Sequence, residues 1–268
     1  MSQSDDAERR FVRARELIGR SRQGLVEAHR LLRGLSSEVK DARARGLLHR
    51  QIWECERFAG RRGQFFSEAG QDAWLDERVF RGKRNGTFVE VGGYDGITGS
   101  NCLFFELMRG WSGLVIEPSP TYHAQCAEFR RSTCLKLAVG AEEGKAEFME
   151  VKKGFTQMSG LVSTYDPRLK AKVEEDPRHE GEIIEVRVQP LAKILKGHHL
   201  NEIDFISLDV EGAELDVLGA FPFDEFRVTA WTVENNTYNP EIPKLMRSKG
   251  YKRVEMIAAD DVYLYDPS

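Results

Sequence analysis

The stretch G-T-F-V-E-V-G-G-Y-D-G-I-T-G-S-N, residues 86–101, decides how the rest of the chain is interpreted. An apolar run from Phe88 to Val91 encloses a single acid, Glu90, and two glycines follow at once. Asp95 and Gly96 come a few positions later. A short apolar run that ends in glycine is typical of a buried strand, and glycine lets a ligand approach the backbone closely. The stretch therefore predicts a strand whose carboxyl end faces a ligand.

Beyond this stretch, strand-like and helix-like patterns alternate along the chain. The apolar, strand-like segments are 87–92, 112–118, 134–140, 203–212 and 228–235, and two antiparallel strands are expected in 251–267. Further extended pieces, 146–151 and 182–190, surround an irregular stretch, 152–181. Alternating strands and helices with nearly continuous apolar strands favour a parallel sheet covered on both faces. We predict an α/β fold with a mostly parallel seven-stranded sheet and a terminal antiparallel hairpin.

Composition narrows the class of protein. The first 50 residues carry a net charge of +5 and the remainder −9, so the acidic body is a poor general nucleic-acid binder. No apolar run approaches the roughly 20 residues that span a bilayer, and the first residues show no apolar signal region. The four cysteines lack Cys-x-x-Cys spacing, which disfavours a metal knuckle. A cytoplasmic protein is expected.

The N-terminal segment carries a heptad pattern. Apolar residues recur every seven positions at Phe11, Ile18, Leu25, Leu32 and Val39. Small or apolar residues lie three positions after each, at Ala14, Ser21, Ala28, Leu35 and Ala42. This pattern predicts a helical extension over residues 1–60, separate from a domain over 61–268. The extension is either an oligomerisation helix or partner platform, or a pair of helices that packs on the chain's own domain. A membrane-surface helix is a third interpretation, disfavoured by Arg residues spread around the helix.

Acidic residues recur at the ends of the predicted strands, at Glu90, Glu117, Asp209 and Glu234. The carboxyl ends of parallel strands meet at one edge of the sheet, so these acids should line a polar cleft. The glycines fit neither the Gly-x-Gly-x-x-Gly dinucleotide motif nor a P-loop. An acidic turn repels phosphate but suits a ligand with an ammonium and a sulfonium, such as S-adenosylmethionine. Glu117, 27 residues after Glu90, suits the two ribose hydroxyls.

Five blocks of the sequence resemble, in order, the FkbM-family methyltransferases. The blocks are 65–75, 86–106, 110–120, 138–140 and 203–218, and the resemblance spans roughly residues 64–265. It leaves out the N-terminal extension. It implies a class I Rossmann-like methyltransferase fold, S-adenosylmethionine as cofactor, and methylation mainly of hydroxyl oxygens on sugars and natural products.

The resemblance also implies which residues contact the cofactor. The residues expected around its methionine and ribose parts are Glu90, Gly92, Asp95, Gly96 and Asn101, with Glu117 holding the ribose. Ala138 and Val139 are expected near the adenine. Ser67, Gln71 and Asp72 match an upstream Ser-x-x-Gly-Gln-Asp block that closes over the cofactor. Independently of the resemblance, the length of the irregular stretch 152–181 predicts a lid or acceptor loop, with Ser159 in contact with the cofactor. A poorly ordered surface loop is the alternative.

Methylation of an alcohol requires that its proton be removed, by a general base or with a metal ion that acidifies it. Asp209 and Glu234 end predicted strands where the methyl group would lie, and Glu211 follows Asp209. These three are the predicted catalytic residues. Asp209, Glu234 and Asn235 would also suit Mg²⁺ through oxygen ligands.

The sequence thus predicts an S-adenosylmethionine-dependent O-methyltransferase that acts on a hydroxyl of a sugar or glycan. A non-sugar natural product is an alternative acceptor, and a catalytically retired S-adenosylmethionine-binding scaffold is an alternative to an enzyme. The expected partner is a small-molecule or glycan acceptor, with no nucleic acid and no membrane span, and with a homo-oligomer through the N-terminal helix as one interpretation.

Overall fold

The structure is a computed structural model that describes residues 3–20 and 22–266, with side chains described for 6–16 and 24–266. The described helices are α1 (Gln3–Arg20), α2 (Arg22–Leu35), α3 (Ala42–Phe58), α4 (Gln71–Trp74), α5 (Leu103–Arg109), α6 (Pro120–Phe129), α7 (Pro167–Glu174), α8 (Leu191–Gly197), α9 (Glu214–Ala220) and α10 (Glu241–Ser248). A π-helical segment, Leu75–Phe80, follows α4. The described strands are β1 (Thr87–Val91), β2 (Ser112–Ile116), β3 (Thr133–Leu135), β4 (Ala138–Val139), β5 (Gly144–Lys153), β6 (Gly160–Leu161), β7 (Glu180–Gln189), β8 (Glu202–Leu208), β9 (Arg227–Glu234), β10 (Tyr251–Ile257) and β11 (Asp260–Tyr265).

Seven of the described strands form the main sheet, in the order β10-β11-β9-β8-β1-β2-β3. All neighbours are parallel except β11, which is antiparallel to both β9 and β10. Val91 at the end of β1 pairs with Ile116 of β2 and Leu208 of β8, so the carboxyl ends of these three strands are level. The predicted α/β fold, with a mostly parallel seven-stranded sheet and a terminal hairpin, is confirmed.

The main sheet is buried on both faces, which explains why its strands are nearly continuous apolar runs. Val89 and Ile206 pack into a core on one face, together with Trp231. Phe88 and Phe205, their neighbours along the strands, pack into a second core on the other face. Successive side chains of a strand point to opposite faces, so an apolar residue is needed at every position.

A second, four-stranded sheet, ordered β4-β7-β5-β6, was not predicted from the sequence. The segment 134–140, predicted as one strand, divides between the two sheets, because the Leu137 amide turns back to donate to the Leu135 carbonyl. The stretch 152–181, predicted to be irregular, contains β6 and α7. Asp166 caps α7 by accepting from two backbone amides, and proline follows at the first helical position. An Asp-Pro pair before an amphipathic run was the signal for this helix.

The N-terminal helices α1, α2 and α3 form a compact arm with an apolar centre of its own. The described heptad residues in this centre are Phe11, Ala14, Leu25, Ala28, Leu32, Leu35 and Val39. Ser21 lies outside the described residues, as does the side chain of Ile18. The heptad pattern is therefore satisfied by packing within the chain, the second interpretation above. Oligomerisation through this arm and the domain boundary near residue 60 stay predictions.

Helix α3 fastens the arm to the terminal hairpin. The Gly46 carbonyl accepts a 2.9 Å hydrogen bond from the Ala258 amide, and a Cβ at position 46 would lie 2.4 Å from the Ala258 oxygen. Arg45 and His49 both contact the Glu255 carboxylate, at 2.7 and 3.2 Å. Burial alone would raise the pKa of Glu255, but hydrogen bonds from His49 and Arg45 outweigh it and lower this pKa to about 2.

No helix in the described part of the chain combines the length and the apolar character that crossing a bilayer requires.

Candidate active site

A cavity of about 490 Å³ lies at the carboxyl ends of β1, β2, β8 and β9. The predicted site residues that line it are Gln71, Gly92, Asn101, Glu117, Ala138, Val139, Ser159, Asp209, Glu211 and Glu234. The predicted residues outside its lining are Ser67, Asp72, Glu90, Asp95, Gly96 and Asn235. The structure thus brings most of the predicted set together, and it assigns the others to the support of the cavity.

Gly92 forms the floor of the cavity where β1 and β8 end side by side. Its φ is +87°, and a Cβ would lie 2.0 Å from the Asp209 carbonyl oxygen. The Asp209 amide donates to the Val91 carbonyl at 3.0 Å, so the two strand ends are joined at this point. Glycine is therefore required here by the close approach of two backbones, in addition to any approach of a ligand.

Glu90 does not reach the cavity, because its carboxylate is engaged behind the glycine-rich turn. It pairs with Arg130 at 2.6 Å and accepts from the Ser100 hydroxyl at 2.7 and 2.9 Å. Arg130 also contacts Glu106 at 2.9 Å, and all three charged side chains are buried. The expected contact of Glu90 with the cofactor is thus replaced by a buried ion-pair network. This network fixes the turn, and Arg130, its central member, was missed.

Asp95 and Gly96 shape the same turn from outside the cavity. The Asp95 carboxylate accepts from the amides of Ile97 and Thr98 at 2.8 and 2.7 Å, and from the Thr98 hydroxyl at 2.7 Å. Gly96 has a φ of +84°, and its Cβ would lie 3.0 Å from atoms of Cys126 and Arg130. Both residues expected at the cofactor are therefore structural elements of the turn.

The upstream block folds around a buried acid. Asp72 accepts from the Ser67 hydroxyl at 2.5 Å and from the Phe66 amide at 2.7 Å, and burial raises its pKa to about 6. Ser67 also pairs with Gly99 through the backbone, which sets the block against the glycine-rich turn. Gln71 alone of the three predicted residues reaches the cavity. Ser67 and Asp72 hold the block in place.

Glu117 lies at the end of β2 and is oriented by the backbone. Its two carboxylate oxygens accept from the amides of Tyr94 and Ser119, each at 2.8 Å. Burial raises the pKa of Glu117 to about 8. The cavity wall beside it is apolar, with Ala138 and Val139 of β4 in the lining. An oriented acid next to an apolar slot is suited to a ribose and its attached base.

Three acids form a cluster at the ends of β8 and β9. One carboxylate oxygen from each of Asp209, Glu211 and Glu234 lies within 4.8 Å of the others. Burial and then the charge of Asp260 raise the pKa of Asp209 to about 7. Burial and then the charge of Asp209 raise the pKa of Glu211 and of Glu234 well above the usual range. The cluster therefore binds protons more readily than ordinary carboxyl groups do.

The turn after β8 holds the cluster in a strained backbone. Glu211 has a φ of +55° and Gly212 of +111°, and the Glu214 carboxylate accepts from the amides of Val210 and Gly212 at 3.0 and 3.1 Å. The Oε2 atom of Glu211 is buried and lacks a hydrogen-bond partner among the described residues. A strained, unsatisfied carboxylate of this kind is characteristic of functional sites.

Asn235 is not a member of this cluster. Its Nδ2 donates to Asp261 and to the Asn239 carbonyl, both at 3.2 Å, and its Oδ1 accepts from the Asn239 amide at 2.6 Å. The hydrogen bonds of the buried Asn235 side chain are thus made within the protein, where they close the loop after β9. The third residue whose side-chain oxygen lies near those of Asp209 and Glu234 is Glu211 and not Asn235.

Asp260, the first residue of β11, is a cavity residue that the sequence analysis missed. It accepts from Gln71 at 3.0 Å and from the Asn101 amide nitrogen at 3.4 Å, and burial raises its pKa to about 6. The adjacent acids at the start of this strand, Asp260 and Asp261, were the available signal. The Oδ1 atom of Asn101 is buried with no partner in the described structure, although Asn101 lines the cavity.

The segment after β5 closes one side of the cavity. A role of residues 152–181 as a lid or acceptor loop stays a prediction. Phe155, Thr156 and Ser159 line it, and the Tyr94 and Thr156 hydroxyls lie 2.7 Å apart. The Ser159 hydroxyl accepts from the Val151 amide and donates to the Thr156 carbonyl, at 3.0 and 3.1 Å. These bonds connect the segment to the glycine-rich turn and give it a defined position.

The strand order, the level strand ends and the acidic cavity above them are those of a class I Rossmann-like methyltransferase. Residues 90–253, more than half of the chain, match the family described as the methyltransferase FkbM domain. The chain therefore belongs to the FkbM methyltransferase family.

Similarity to solved structures is confined to the fold. The methyltransferase FkbM from Methylobacillus flagellatus KT is 11% identical with a TM-score of 0.46, over 87% of this chain. This chain spans only 58% of that protein's length. The N-terminal domain of human METTL16 is 10% identical with a TM-score of 0.38, over 73% of this chain and 68% of that one. A search of curated proteins finds no match to this chain.

Proposed function

We propose that this methyltransferase uses S-adenosylmethionine to methylate a hydroxyl oxygen, with a sugar or glycan as acceptor. The observation that carries the proposal is one cavity with two unlike acidic ends. Glu117, held by two backbone amides, lies at one end. The cluster of Asp209, Glu211 and Glu234 lies at the other.

The residues around Glu117 suit the nucleoside part of this cofactor. The Glu117 carboxylate would accept from both ribose hydroxyls, and Ala138 and Val139 would contact the adenine. The unpartnered Asn101 oxygen would accept from the ammonium of the methionine part. When bound, the cofactor supplies an electrophilic methyl group on a positively charged sulfur. The acidic lining of the cavity favours such a cation.

The cluster supplies the proton acceptor that an alcohol requires. The pKa of Asp209, raised to about 7, suits a general base at neutral pH. Burial raises the pKa of Glu234 and of Glu211 as well. In this version Asp209 takes the hydroxyl proton, and the two glutamates orient the acceptor oxygen.

A metal-assisted version of the same function uses the same residues. Three carboxylates whose oxygens lie within 4.8 Å of one another, with one oxygen unsatisfied, form a donor set suited to Mg²⁺. Asp209, Glu211 and Glu234 would hold the ion, which would acidify the acceptor hydroxyl. Loss of turnover in a chelator, restored by magnesium, distinguishes this version from simple base catalysis.

The acceptor class rests on the family resemblance, with support from the lining. Phe155 and Tyr94 line the cavity, and aromatic rings are suited to stack on a sugar ring. A non-sugar natural product with a hydroxyl would use the same chemistry. The expected cytoplasmic location belongs to this proposal as well.

Calorimetry with S-adenosylmethionine tests the proposal directly. We expect the purified protein to bind it at micromolar concentrations. Glu117→Gln should weaken binding about tenfold or more, because the amide keeps only one acceptor oxygen for the two ribose hydroxyls. Glu142→Gln, an exposed acid outside the cavity, is the matched control and should bind like the wild type. No binding by the wild-type protein would refute S-adenosylmethionine as the cofactor, and binding without methyl transfer would indicate a retired scaffold. Preferential binding of a nicotinamide nucleotide or ATP would refute the proposal.

A further inference from the structure

The N-terminal arm contributes a cation, Arg50, to a cavity that has six acidic side chains in its lining. The acidic side chains in the lining are Glu68, Glu117, Asp209, Glu211, Glu234 and Asp260. Among the described residues, the Lys and Arg side chains in the lining are Lys172 of α7 and Arg50 of α3. Arg50 lies outside residues 90–253, which match the family. Its presence in the lining therefore needs a separate explanation.

Lys172 already has interactions at the cavity. Its ammonium lies 4.9 Å from the centre of the Phe155 ring, within the range of a cation–π contact. Its charge also opposes the rise in the pKa of Glu211. Lys172 is thus engaged by the segment that closes the cavity and by the acid cluster.

Arg50 is weakly engaged by comparison. Its Nε lies 3.4 Å from Glu54 on the same helix, and its side chain is 48% exposed. No other ion pair of Arg50 occurs within residues 6–16 and 24–266. Arg45, one turn earlier, instead makes a 2.7 Å contact with the less exposed Glu255. Most of the N–H donors of Arg50 are therefore available to a ligand.

The position of Arg50 is restricted because α3 is anchored at two points in the turns that precede it. The Gly46 carbonyl accepts a hydrogen bond from the amide of Ala258, which lies in the hairpin turn two residues before Asp260. The Arg43 guanidinium stacks over the ring of Tyr238, 4.2 Å from its centre, in the loop that follows Glu234. Helix α3 thus lies over the β9 and β11 side of the cavity. The proposed cofactor end is at β1 and β2, two strands or about 10 Å away from β9.

We propose that Arg50 binds an anionic group of the acceptor, so that the acceptor is a hydroxylated molecule carrying a carboxylate or a phosphate. A guanidinium presents a planar fork of donors that matches the oxygens of either group. The guanidinium would also offset the repulsion between this anion and the acids of the cavity. This inference rests on the proposed function, because it assigns the acceptor side from the predicted position of the cofactor.

The test compares wild type, Arg50→Gln and Arg57→Gln by calorimetry. Arg57 lies on the same helix, is exposed, and is outside the cavity lining, so its variant is the matched control. Inorganic phosphate is titrated into each protein loaded with S-adenosylhomocysteine. We expect Arg50→Gln to weaken phosphate binding about tenfold or more. Its affinity for S-adenosylhomocysteine should stay within twofold of wild type, and Arg57→Gln should match wild type in both titrations.

Three results would overturn the inference. The first is that wild type binds no phosphate, and the second is that Arg50→Gln and Arg57→Gln behave alike. The third is that Arg50→Gln weakens S-adenosylhomocysteine instead, because the bound anion would then be the carboxylate of the cofactor. The phosphate titration is repeated on the unloaded proteins. The unloaded wild type could bind phosphate through Arg50 without binding S-adenosylhomocysteine. In that case the proposed cofactor would be wrong while the anion site would stand.

Discussion

The buried acids behind the glycine-rich turn and those in the cavity have opposite electrostatic environments. Behind the glycine-rich turn, Glu90 is neutralised by Arg130 at 2.6 Å, and Arg130 is shared with Glu106 at 2.9 Å. At the ends of β8 and β9, Asp209 and Glu234 have no ion pair with a cation among the described residues, and their pKa values are raised by burial. In the sequence, Glu90, Asp209 and Glu234 are all acids at or near the ends of predicted strands. Only the presence or absence of a neighbouring cation in the folded protein distinguishes the structural acid, Glu90, from the other two.

This difference separates stability from function. A buried acid with a close cation contributes to a defined native state, although forming the pair costs desolvation. A cluster of acids without a cation lowers stability, and it persists in folded proteins mainly where ligand binding or catalysis requires it. We therefore assign the Glu90 network to the scaffold and the Asp209 cluster to the proposed chemistry.

The largest expected effect is on turnover at the cluster. Asp209→Asn should lower the rate of methyl transfer by about 10²–10⁴-fold, the usual contribution of a general base, because the amide cannot accept the hydroxyl proton. The rate is measured as transfer of labelled methyl from S-adenosylmethionine to a panel of sugars. Asp216→Asn, an exposed acid of α9, should retain the wild-type rate. If Asp209→Asn lost cofactor binding together with turnover, Asp209 would be a cofactor ligand and the division into two ends would be wrong.

The next effect is on stability, at the ion-pair network of Glu90, Arg130 and Glu106. Arg130→Met should lower the free energy of unfolding by about 3–5 kcal/mol, because it leaves Glu90 and Glu106 buried without a cation. Urea denaturation monitored by circular dichroism measures this change. Arg131→Met, next along the chain but exposed, should change the free energy by about 0.5 kcal/mol or less. Equal effects of the two variants would mean that the ion pairs of Arg130 with Glu90 and Glu106 do not stabilise the fold.

A smaller effect is on the pH dependence of the free energy of unfolding. Its sign should differ between acids buried without a cation, such as Asp209, and acids paired with a cation, such as Glu255. The pKa of Asp209 rises from an ordinary 3.8 to about 7 on folding, so its contribution to stability is complete below about pH 4 and is lost as the pH rises through 7. Asp209→Asn should therefore stabilise the protein by about 2 kcal/mol at pH 8 and by less at pH 5. Urea denaturation at the two pH values measures the difference. A variant that is less stable than wild type at pH 8 would contradict the raised pKa.

The smallest effect is expected at Glu255, an acid of β10 that is paired with Arg45 and His49 of the N-terminal arm. The pKa of Glu255 is lowered from 4.5 to about 2, so its contribution is present above pH 4.5 and is lost as the pH falls through 2. Glu255→Gln should weaken docking of α3 by about 1 kcal/mol at pH 7, since contacts with Arg45 and His49 lose their charge. Faster amide hydrogen exchange in residues 42–58 would report it. Unchanged exchange would show that the pairs do not hold the arm.

Much of the fold follows from the sequence because period-2 and continuous apolar patterns are local. The strands of the main sheet and the closing hairpin are where the apolar runs place them. The second sheet was missed because β5 and β7 pair across about 30 residues, and their exposed faces weaken the pattern. The division of 134–140 depends on one tight turn at Leu137, which no apolar pattern records.

The candidate site was predictable in outline but not in its details. Strand ends identify Asp209, Glu117 and Glu234, since topology alone brings them to one edge. Whether an acid faces the cavity depends on a partner that is distant in sequence, and Glu90 and Arg130 are 40 residues apart. A buried acid inside a strand does predict that some cation must lie nearby, and that argument would have led to a search for one.

A crystal structure of the protein grown with S-adenosylhomocysteine tests the central claim most directly. The account predicts that both ribose hydroxyls lie within hydrogen-bond distance of the Glu117 carboxylate and that the sulfur points towards Asp209. A ligand bound in the cavity with its ribose away from Glu117, or with its sulfur away from the acid cluster, would contradict it.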